Sequence, residues 1–266
     1  MHRHFVPAGT LEAARVALDH ANSRHFLNVL RLGRGDEVEL FDGQGVTARY
    51  VIADAARGGV SLERRGEVVR HPRPACRLVL GACISKGKRM EWTIEKAVEL
   101  GAAEIIPIAS RFSVVRLDDE GGAEKRERWM RIAIDAARQC SAVHLPEITE
   151  PMPLDAALRR LAPAGSTENA TALFAGALQP DAIPFRDALA ALRASGRAIR
   201  SAAWLVGPEG DFSPDEYDAL RAAGVAFVSL GDLVLRTETA AIYGLCVLGA
   251  EFLVHAPPAG VPLPGD

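Results

Sequence analysis

The chain has 266 residues, of which 48% are hydrophobic and 24% are charged, and its formal net charge is -3. These values are typical of a globular protein long enough for two domains and argue against a disordered chain. The longest apolar run, Ala240 to Ala250, falls short of the roughly 20 residues that a membrane-spanning helix needs.

The amino terminus and the cysteines together predict a cytoplasmic protein. Residues 1–5 lead into a mixed segment with no apolar core, so no signal peptide is predicted. The four cysteines are scattered and form no C-x-x-C pair. We therefore expect buried, reduced thiols and neither disulfides nor a metal site.

The charge is unevenly distributed along the chain. Residues 1–145 carry 23 Lys and Arg against 19 Asp and Glu, whereas residues 146–266 carry 8 against 15. Either the first half meets a polyanion, or the asymmetry is ordinary solvated surface.

The first 72 residues predict a small β domain. The β-rich runs 37–41 and 46–52 are separated by Asp42-Gly43-Gln44-Gly45, which is typical of a hairpin turn. The segment His71-Pro72-Arg73-Pro74 then favours extended backbone and marks a domain boundary.

Short apolar runs alternate with helical patterns over residues 73–255, which predicts a mostly parallel sheet covered by helices. Strands are predicted at 78–83, 105–108, 173–176, 203–206 and 225–230, and helices at 90–98, 124–140, 185–192 and from 213. Residues 162–171 are predicted as a polar linker and residues 256–266 as a Pro/Gly-rich tail.

Ligands of parallel α/β sheets collect outside the carboxyl ends of the strands. Three predicted strands end in loops suited to that role, at Phe174-Ala175-Gly176, Gly207-Pro208-Glu209-Gly210 and Gly231 to Thr239. Glycine lets the backbone of such a loop approach a ligand closely.

The second loop leads into a helix start. Ser213, Pro214 and Glu216 form a predicted capping box, so helix physics alone explains them. Glu209 has no such explanation, and either it contacts a ligand or substrate or it makes a local hydrogen bond.

The third loop places four polar residues at the start of an apolar helix, Arg236, Thr237, Glu238 and Thr239. Thr237 or Thr239 is suited to cap the helix, and Arg236 and Glu238 are suited to form an exposed ion pair. The alternative is that these side chains serve a ligand.

Several familiar motifs are absent from the sequence. Neither G-x-G-x-x-G after the first strand of the α/β half nor G-x-x-x-x-G-K-[ST] occurs, which argues against a dinucleotide oxidoreductase and a P-loop ATPase. The sequence also lacks H-E-x-x-H and G-x-S-x-G, which disfavours a metalloprotease and a serine hydrolase.

Taken in order, a set of motifs resembles the RsmE family, SPOUT-class enzymes that methylate N3 of a uridine in 16S ribosomal RNA. The motifs are His25-Phe26-Leu27-Asn28-Val29-Leu30-Arg31, Gly35-Asp36, Ser85-Lys86-Gly87-Lys88-Arg89-Met90-Glu91-Trp92, Glu95-Lys96-Ala97-Val98-Glu99-Leu100-Gly101, Gly207-Pro208-Glu209-Gly210 and Leu235-Arg236-Thr237-Glu238-Thr239-Ala240. The resemblance runs nearly end to end.

The resemblance implies a PUA-like, RNA-binding β-barrel over residues 1–72 and a SPOUT α/β trefoil-knot methyltransferase domain over residues 73–255. It further implies a homodimer that binds S-adenosylmethionine in the knot. The implied cofactor-binding residues are Phe174, Ala175, Gly176, Leu205, Val206, Gly207, Pro208, Glu209, Gly210, Leu230, Gly231, Val234, Leu235, Arg236, Thr237 and Thr239.

The chemistry of that reaction assigns hypothetical catalytic roles. Uracil N3 must lose its proton as it takes the methyl group, and Arg236 is the candidate for stabilising the negative charge that develops. Glu238 or Glu209 is the candidate for accepting the proton or for orienting Arg236.

RNA contact is expected from six basic residues, for each of which solvated surface is the alternative. They are His25, Arg31, Arg34, Lys86, Lys88 and Arg89. RNA is favoured for the cluster Lys86-Gly87-Lys88-Arg89, because glycine keeps this loop open while three charges converge.

The sequence departs from the family pattern at Arg111-Phe112, at Arg138 and Ser141-Ala142, at Asp211 and at Leu233. We expect these changes to spare the cofactor loops and to fall on surfaces that face RNA or the partner subunit. They leave open a methyltransferase for another RNA position, such as a ribose 2'-hydroxyl, and a non-catalytic RNA-binding relative.

Overall fold

The structure is a computed structural model that describes residues 1–56, 59–112, 121–161 and 170–253. It divides into two compact units, one of residues 1–73 and 130–145 and the other of residues 74–129 and 146–266. Most of the predicted linker, at 162–169, and the predicted tail lie outside the described residues.

The first unit contains a five-stranded mixed sheet in the order β1-β3-β4-β5-β2, in which β1 and β3 are parallel and the other pairs are antiparallel. The elements are β1 (His2–Phe5), β2 (Arg15–Ala17), α1 (His20–Arg24), β3 (Glu37–Phe41), β4 (Val46–Ala56) and β5 (Gly59–Arg70). The predicted hairpin turn is confirmed, because the Asp42 carboxylate accepts hydrogen bonds from the backbone N–H groups of Gln44 and Val46.

The second unit contains an eight-stranded sheet in the order β11-β13-β10-β12-β6-β7-β8, with β9 also paired to β7. Its strands are β6 (Arg77–Cys83), β7 (Glu104–Ala109), β8 (Glu147–Ile148), β9 (Met152–Pro153), β10 (Ala170–Gly176), β11 (Ile183–Pro184), β12 (Ile199–Val206) and β13 (Ala226–Ser229). All the strand pairs of this sheet among the described residues are parallel, which confirms the predicted α/β class.

Helices alternate with these strands. They are α2 (Lys88–Glu99), α3 (Gly122–Cys140), α4 (Leu154–Leu161), α5 (Phe185–Ala194), α6 (Pro214–Ala222) and α7 (Thr237–Phe252). In the part of the chain that the structure describes, none of the helices is both long and apolar enough to cross a membrane.

Neighbouring residues of β12 show that helices cover both faces of the second sheet. Leu205 lies in a buried cluster with residues of α4 and α6, such as Leu158 and Leu220. Trp204 points to the opposite face, where its ring stacks on Phe185 of α5 and its indole N–H donates to the Ala240 carbonyl of α7. The alternation is that of a strand buried on both faces.

The prediction of four buried thiols is partly wrong. Cys76 and Cys83 are buried in the second unit, whereas Cys140 is half-buried near the end of α3 and Cys246 is exposed on α7. An apolar helical pattern therefore did not guarantee burial at position 246.

Candidate cofactor site

A cavity of about 310 Å³ opens at the carboxyl ends of β10, β12 and β13, which are neighbours in the second sheet. The loops after these strands form its wall, at the edge where parallel sheets bind ligands. The lining residues are Gly176, Ala177, Leu178, Val206, Gly207, Pro208, Glu209, Asp211, Val228, Ser229, Leu230, Gly231, Leu233, Val234, Leu235, Arg236, Thr237 and Ala240.

The structure brings most of the predicted cofactor-binding residues to this cavity. Those that line it are Gly176, Val206, Gly207, Pro208, Glu209, Leu230, Gly231, Val234, Leu235, Arg236 and Thr237. Phe174, Ala175 and Leu205 lie just inside the strands and are buried in the core, while Gly210 and Thr239 are exposed outside the lining.

Sequence reasoning missed seven lining residues, namely Ala177, Leu178, Asp211, Val228, Ser229, Leu233 and Ala240. Val228 and Ser229 lie at the end of the predicted strand 225–230, and the other five lie within or just after a predicted loop, so the signal that finds them is the strand end rather than a motif. All of them except Asp211 are small or apolar side chains, which carry no chemical signature in a sequence.

Glu209 is held by a basic residue from a distant part of the chain. Its Oε1 atom lies 2.7 Å from Nη1 of Arg89, and both side chains are partly exposed. Glu209 therefore makes a long-range ion pair instead of the local hydrogen bond given as one alternative, and it also lines the cavity; its contact with a ligand stays a prediction.

Asp211 ends the same loop in a left-handed backbone conformation with φ of 63°. Its Oδ1 atom accepts hydrogen bonds from the Phe212 N–H at 2.8 Å and from the Tyr217 hydroxyl at 2.7 Å. Burial, followed by the bond to the Asp211 carboxylate, raises the pKa of Tyr217.

The predicted capping box at the start of α6 is confirmed. The Ser213 side chain accepts from the Glu216 N–H, and the Glu216 carboxylate accepts from the Ser213 N–H. Asp211 and α6 thus fix the carboxyl side of the Gly207–Gly210 turn.

The third loop, Gly231 to Thr239, carries exposed apolar side chains just before α7 begins. Gly231 has φ of 128°, which side chains rarely tolerate, and Leu233 and Val234 are 78% and 76% exposed although they line the cavity. Two apolar side chains held in water beside a cavity are suited to cover a bound ligand.

Arg236 occupies the N-cap position of α7, so the prediction of a Thr237 or Thr239 cap is wrong. The Arg236 side chain is exposed and lines the cavity, and the described ranges contain neither an ion pair nor a hydrogen bond for it. The predicted ion pair with Glu238 is thus absent among these residues, which leaves the guanidinium available to a ligand.

Glu238 lies in the first turn of α7, two residues after Arg236 and outside the cavity lining. Its Oε2 atom is buried and has no hydrogen-bond partner among the residues whose placement is described. A buried carboxylate oxygen without a donor is energetically costly, which is typical of functional sites.

The predicted RNA-binding residues fall into two groups. In the first unit, His25 begins a turn of π-helix over His25–Val29, Arg31 adopts φ of 56°, and Arg34 is exposed. In the second unit, Lys86 and Lys88 are exposed at the start of α2. π-Helical turns occur frequently at functional sites.

Three departures from the family pattern cluster around the cavity loops, contrary to expectation. Asp211 and Leu233 line the cavity, and Phe112 packs against Gly210. Arg111 donates its N–H to Glu216 at 2.9 Å and its guanidinium to Asp215 at 3.2 Å. The expectation that the departures spare these loops is therefore wrong for this group.

Two family models match the chain. An RNA methyltransferase domain matches residues 71–249, and an RNA methyltransferase PUA domain matches residues 18–63.

Relatives with the name ribosomal RNA small subunit methyltransferase E match over most of their length. The Bacillus subtilis protein is 27% identical over 90% of this chain and 91% of its own. The Mycobacterium bovis protein is 31% identical over 89% of this chain and 86% of its own.

Two solved structures with similar folds contain S-adenosylmethionine. The ribosomal RNA small subunit methyltransferase E of Neisseria gonorrhoeae, bound to that cofactor, is 26% identical, has a TM-score of 0.79 and is matched over 95% of this chain and 98% of its own. A Legionella pneumophila protein in complex with the cofactor is 30% identical, has a TM-score of 0.78 and is matched over 94% and 97%.

Proposed function

The chain belongs to the ribosomal RNA small subunit methyltransferase E family, and on that premise we propose that it methylates N3 of a uridine in 16S ribosomal RNA. S-adenosylmethionine is the methyl donor. The observation that carries the proposal is the 310 Å³ cavity at the ends of three parallel strands, with the Arg236 guanidinium unpaired at its wall within the described residues. We also propose that the protein is cytoplasmic, because its ribosomal substrate lies in the cytoplasm.

The residues at the cavity fit the cofactor. The volume falls in the range of small-molecule sites, and the lining combines backbone polar groups with apolar side chains, as an adenosyl group requires. Gly176, Gly207, Leu230, Gly231 and Leu235 are the residues we propose to hold it. When bound, S-adenosylmethionine supplies a methyl group on a positively charged sulfur.

The protein must position the uracil and stabilise the negative charge that develops on it. Loss of the N3 proton leaves negative charge on the uracil, which the Arg236 guanidinium is positioned to stabilise at the cavity wall. Glu209, which lines the cavity, and Glu238, which lies in the first turn of α7, remain the two candidates for accepting that proton or orienting Arg236.

RNA contact is proposed for His25, Arg31, Arg34, Lys86 and Lys88. All five carry groups suited to phosphate, and Lys86 and Lys88 have no ion-pair partner among the residues described here. Arg89, predicted with them, differs because its guanidinium is already paired with Glu209.

A homodimer is also proposed, as the family resemblance implies. Exposed apolar side chains at Leu233, Val234 and Tyr243 support it, since such groups favour burial against a partner.

Replacement of Arg236 tests the proposed function. In Arg236→Ala we expect the rate of methyl transfer to small ribosomal subunits to fall by about 10²-fold to 10³-fold, because one preorganised charge is lost. Transfer is measured with labelled S-adenosylmethionine, and cofactor affinity is measured separately by calorimetric titration.

Arg236→Lys is the matched control, because it keeps the positive charge and is expected to retain part of the rate. An Arg236→Ala protein that binds the cofactor and methylates RNA at the wild-type rate would remove Arg236 from the mechanism.

A further inference from the structure

The ion pair between Arg89 and Glu209 joins two segments that lie 120 residues apart in the sequence. Glu209 lines the cavity, whereas Arg89 does not. In the described part of the chain, Arg89 is the sole hydrogen-bond and ion-pair partner of the Glu209 side chain. The position of the Glu209 carboxylate therefore depends on Arg89.

The helix turn that carries Arg89 is held in place by packing and by an ion pair. It lies in the first turn of α2, next to Met90, which is 2% exposed, and Ile94 one turn later is fully buried. Glu91, also in that turn, forms an ion pair with Arg128 of α3. A guanidinium on such a helix can hold a mobile partner without moving its own backbone.

The loop that carries Glu209 is anchored at its far end. The Asp211 carboxylate accepts hydrogen bonds from the Phe212 N–H and the Tyr217 hydroxyl, and Phe112 packs against Gly210. The Glu209 side chain itself is 39% exposed and has three rotatable bonds, so without Arg89 it would sample many orientations at the cavity.

We propose that Arg89 is a positioning residue for the cofactor: it acts through Glu209 to keep the Gly207–Asp211 loop in the form that walls the cavity. This inference rests on the proposed function. Ordering a loop and its side chains on binding costs free energy, and a loop already ordered by an ion pair avoids that cost.

Charge supports the same assignment. The cavity wall carries the carboxylates of Glu209 and Asp211 and the single guanidinium of Arg236 among the described lining residues. Arg89 offsets the Glu209 charge at a wall that polyanionic RNA must approach. If Arg89 bound an RNA phosphate instead, it would have to leave Glu209 uncompensated.

The test is calorimetric titration of S-adenosylmethionine into the protein without RNA. For Arg89→Ala we expect the Kd to rise roughly two- to fivefold, which is the range that a partly exposed ion pair supports. Arg159→Ala is the matched control, because it removes an arginine from another exposed ion pair, with Asp155 on α4, and lies outside the cavity lining. Its cofactor Kd is expected to equal that of the wild type.

A double-mutant cycle tests whether Arg89 affects cofactor binding through Glu209. In the Glu209→Ala background, the further change Arg89→Ala is expected to leave the Kd unchanged, since Arg89 has already lost the carboxylate that it holds. An equal effect of Arg89→Ala in both backgrounds would overturn the proposal, because Arg89 would then act independently of Glu209.

The proposal is also overturned if Arg89→Ala binds S-adenosylmethionine like the wild type and raises only the KM for RNA. That outcome would make Arg89 an RNA contact. A wild-type protein that does not bind S-adenosylmethionine would instead refute the proposed function, so the two failures are distinguishable.

Discussion

Asp211 illustrates how one residue fixes a loop at the cavity. A non-glycine residue with φ of 63° is uncommon, although Asp tolerates this region better than most residues. The free-energy cost of this backbone conformation is offset by hydrogen bonds to the Asp211 carboxylate from the Phe212 N–H and from the hydroxyl of Tyr217, a buried residue. The bond between Asp211 and Tyr217 therefore keeps the end of the loop in place.

Removing the Tyr217 hydroxyl should destabilise the second unit and change its pH dependence. At pH 8 we expect Tyr217→Phe to lower the free energy of unfolding by about 1.5 kcal/mol, the value of a hydrogen bond to a charged group. Because the folded pKa of Tyr217 is raised above its usual 10.0, the stabilisation is present below about pH 10 and is lost as the pH rises towards the folded pKa. Urea unfolding across this range measures both effects.

Tyr243→Phe is the control for this prediction, since Tyr243 is 45% exposed and its hydroxyl has no hydrogen-bond partner among the described residues. Its stability should match that of the wild type at every pH. Equal alkaline loss of stability in Tyr217→Phe and the wild type would show that Tyr217 does not carry the effect.

For single residues, the sequence predicts hydrogen bonds within a helix start and misses the side-chain hydrogen bonds and ion pairs that depend on the fold. The Ser213 and Glu216 capping box follows from a spacing of three residues at a helix start. The bonds of Asp211 to Tyr217 and of Glu209 to Arg89 depend on how the chain returns in space. No local spacing rule contains that information.

Among the elements, α7 positions the cavity most directly, because its N-cap residue Arg236 and its first residue Thr237 line the cavity. The helix packs on Trp204 of β12, which is fully buried and donates a hydrogen bond to the Ala240 carbonyl at 3.0 Å. A Cβ atom added at Gly244 would lie 2.1 Å from Trp204 Cε2. Glycine at 244 is thus required for the close approach of α7 to the sheet.

Gly244→Ala should therefore displace α7 and reach the cavity. We expect the free energy of unfolding to fall by roughly 1–3 kcal/mol, the cost of overpacking a core, and the affinity for S-adenosylmethionine to weaken. Chemical denaturation and calorimetric titration measure the two effects.

Gly249→Ala is the matched control on the same helix, because its added Cβ would meet its nearest atom, the Leu100 carbonyl oxygen, at 3.9 Å. Alanine favours helix over glycine, so this variant should be equal to the wild type or slightly more stable. Equal stability of the Gly244→Ala and wild-type proteins would contradict the packing account.

The sequence predicted the long elements of the second unit and missed the short ones. Strands β6, β7, β10, β12 and β13 appear as continuous apolar runs. β8, β9 and β11 have two residues each, which is too short for any pattern. α4 has eight residues and follows β9 directly, so its pattern has no recognisable start.

At the scale of the whole molecule, the cavity forms because three distant segments end at one edge of a parallel sheet. The sequence alone indicates such an edge, but strand order β13-β10-β12 brings these particular loops together. That these loops share one cofactor site was implied by the family resemblance and not by periodicity, whereas the strand order comes from the structure. The trefoil knot and the domain boundaries at residues 72 and 255 stay predictions.

The central claim is methyl transfer from S-adenosylmethionine to uridine N3 of 16S ribosomal RNA. The most direct measurement is mass-spectrometric identification of the methylated nucleoside, after reaction of the purified protein with small ribosomal subunits that lack the modification. We predict N3-methyluridine in 16S RNA with the wild-type protein and little or none with Arg236→Ala. A methyl group on a ribose 2'-hydroxyl or another base, or RNA binding without methyl transfer, would contradict the account.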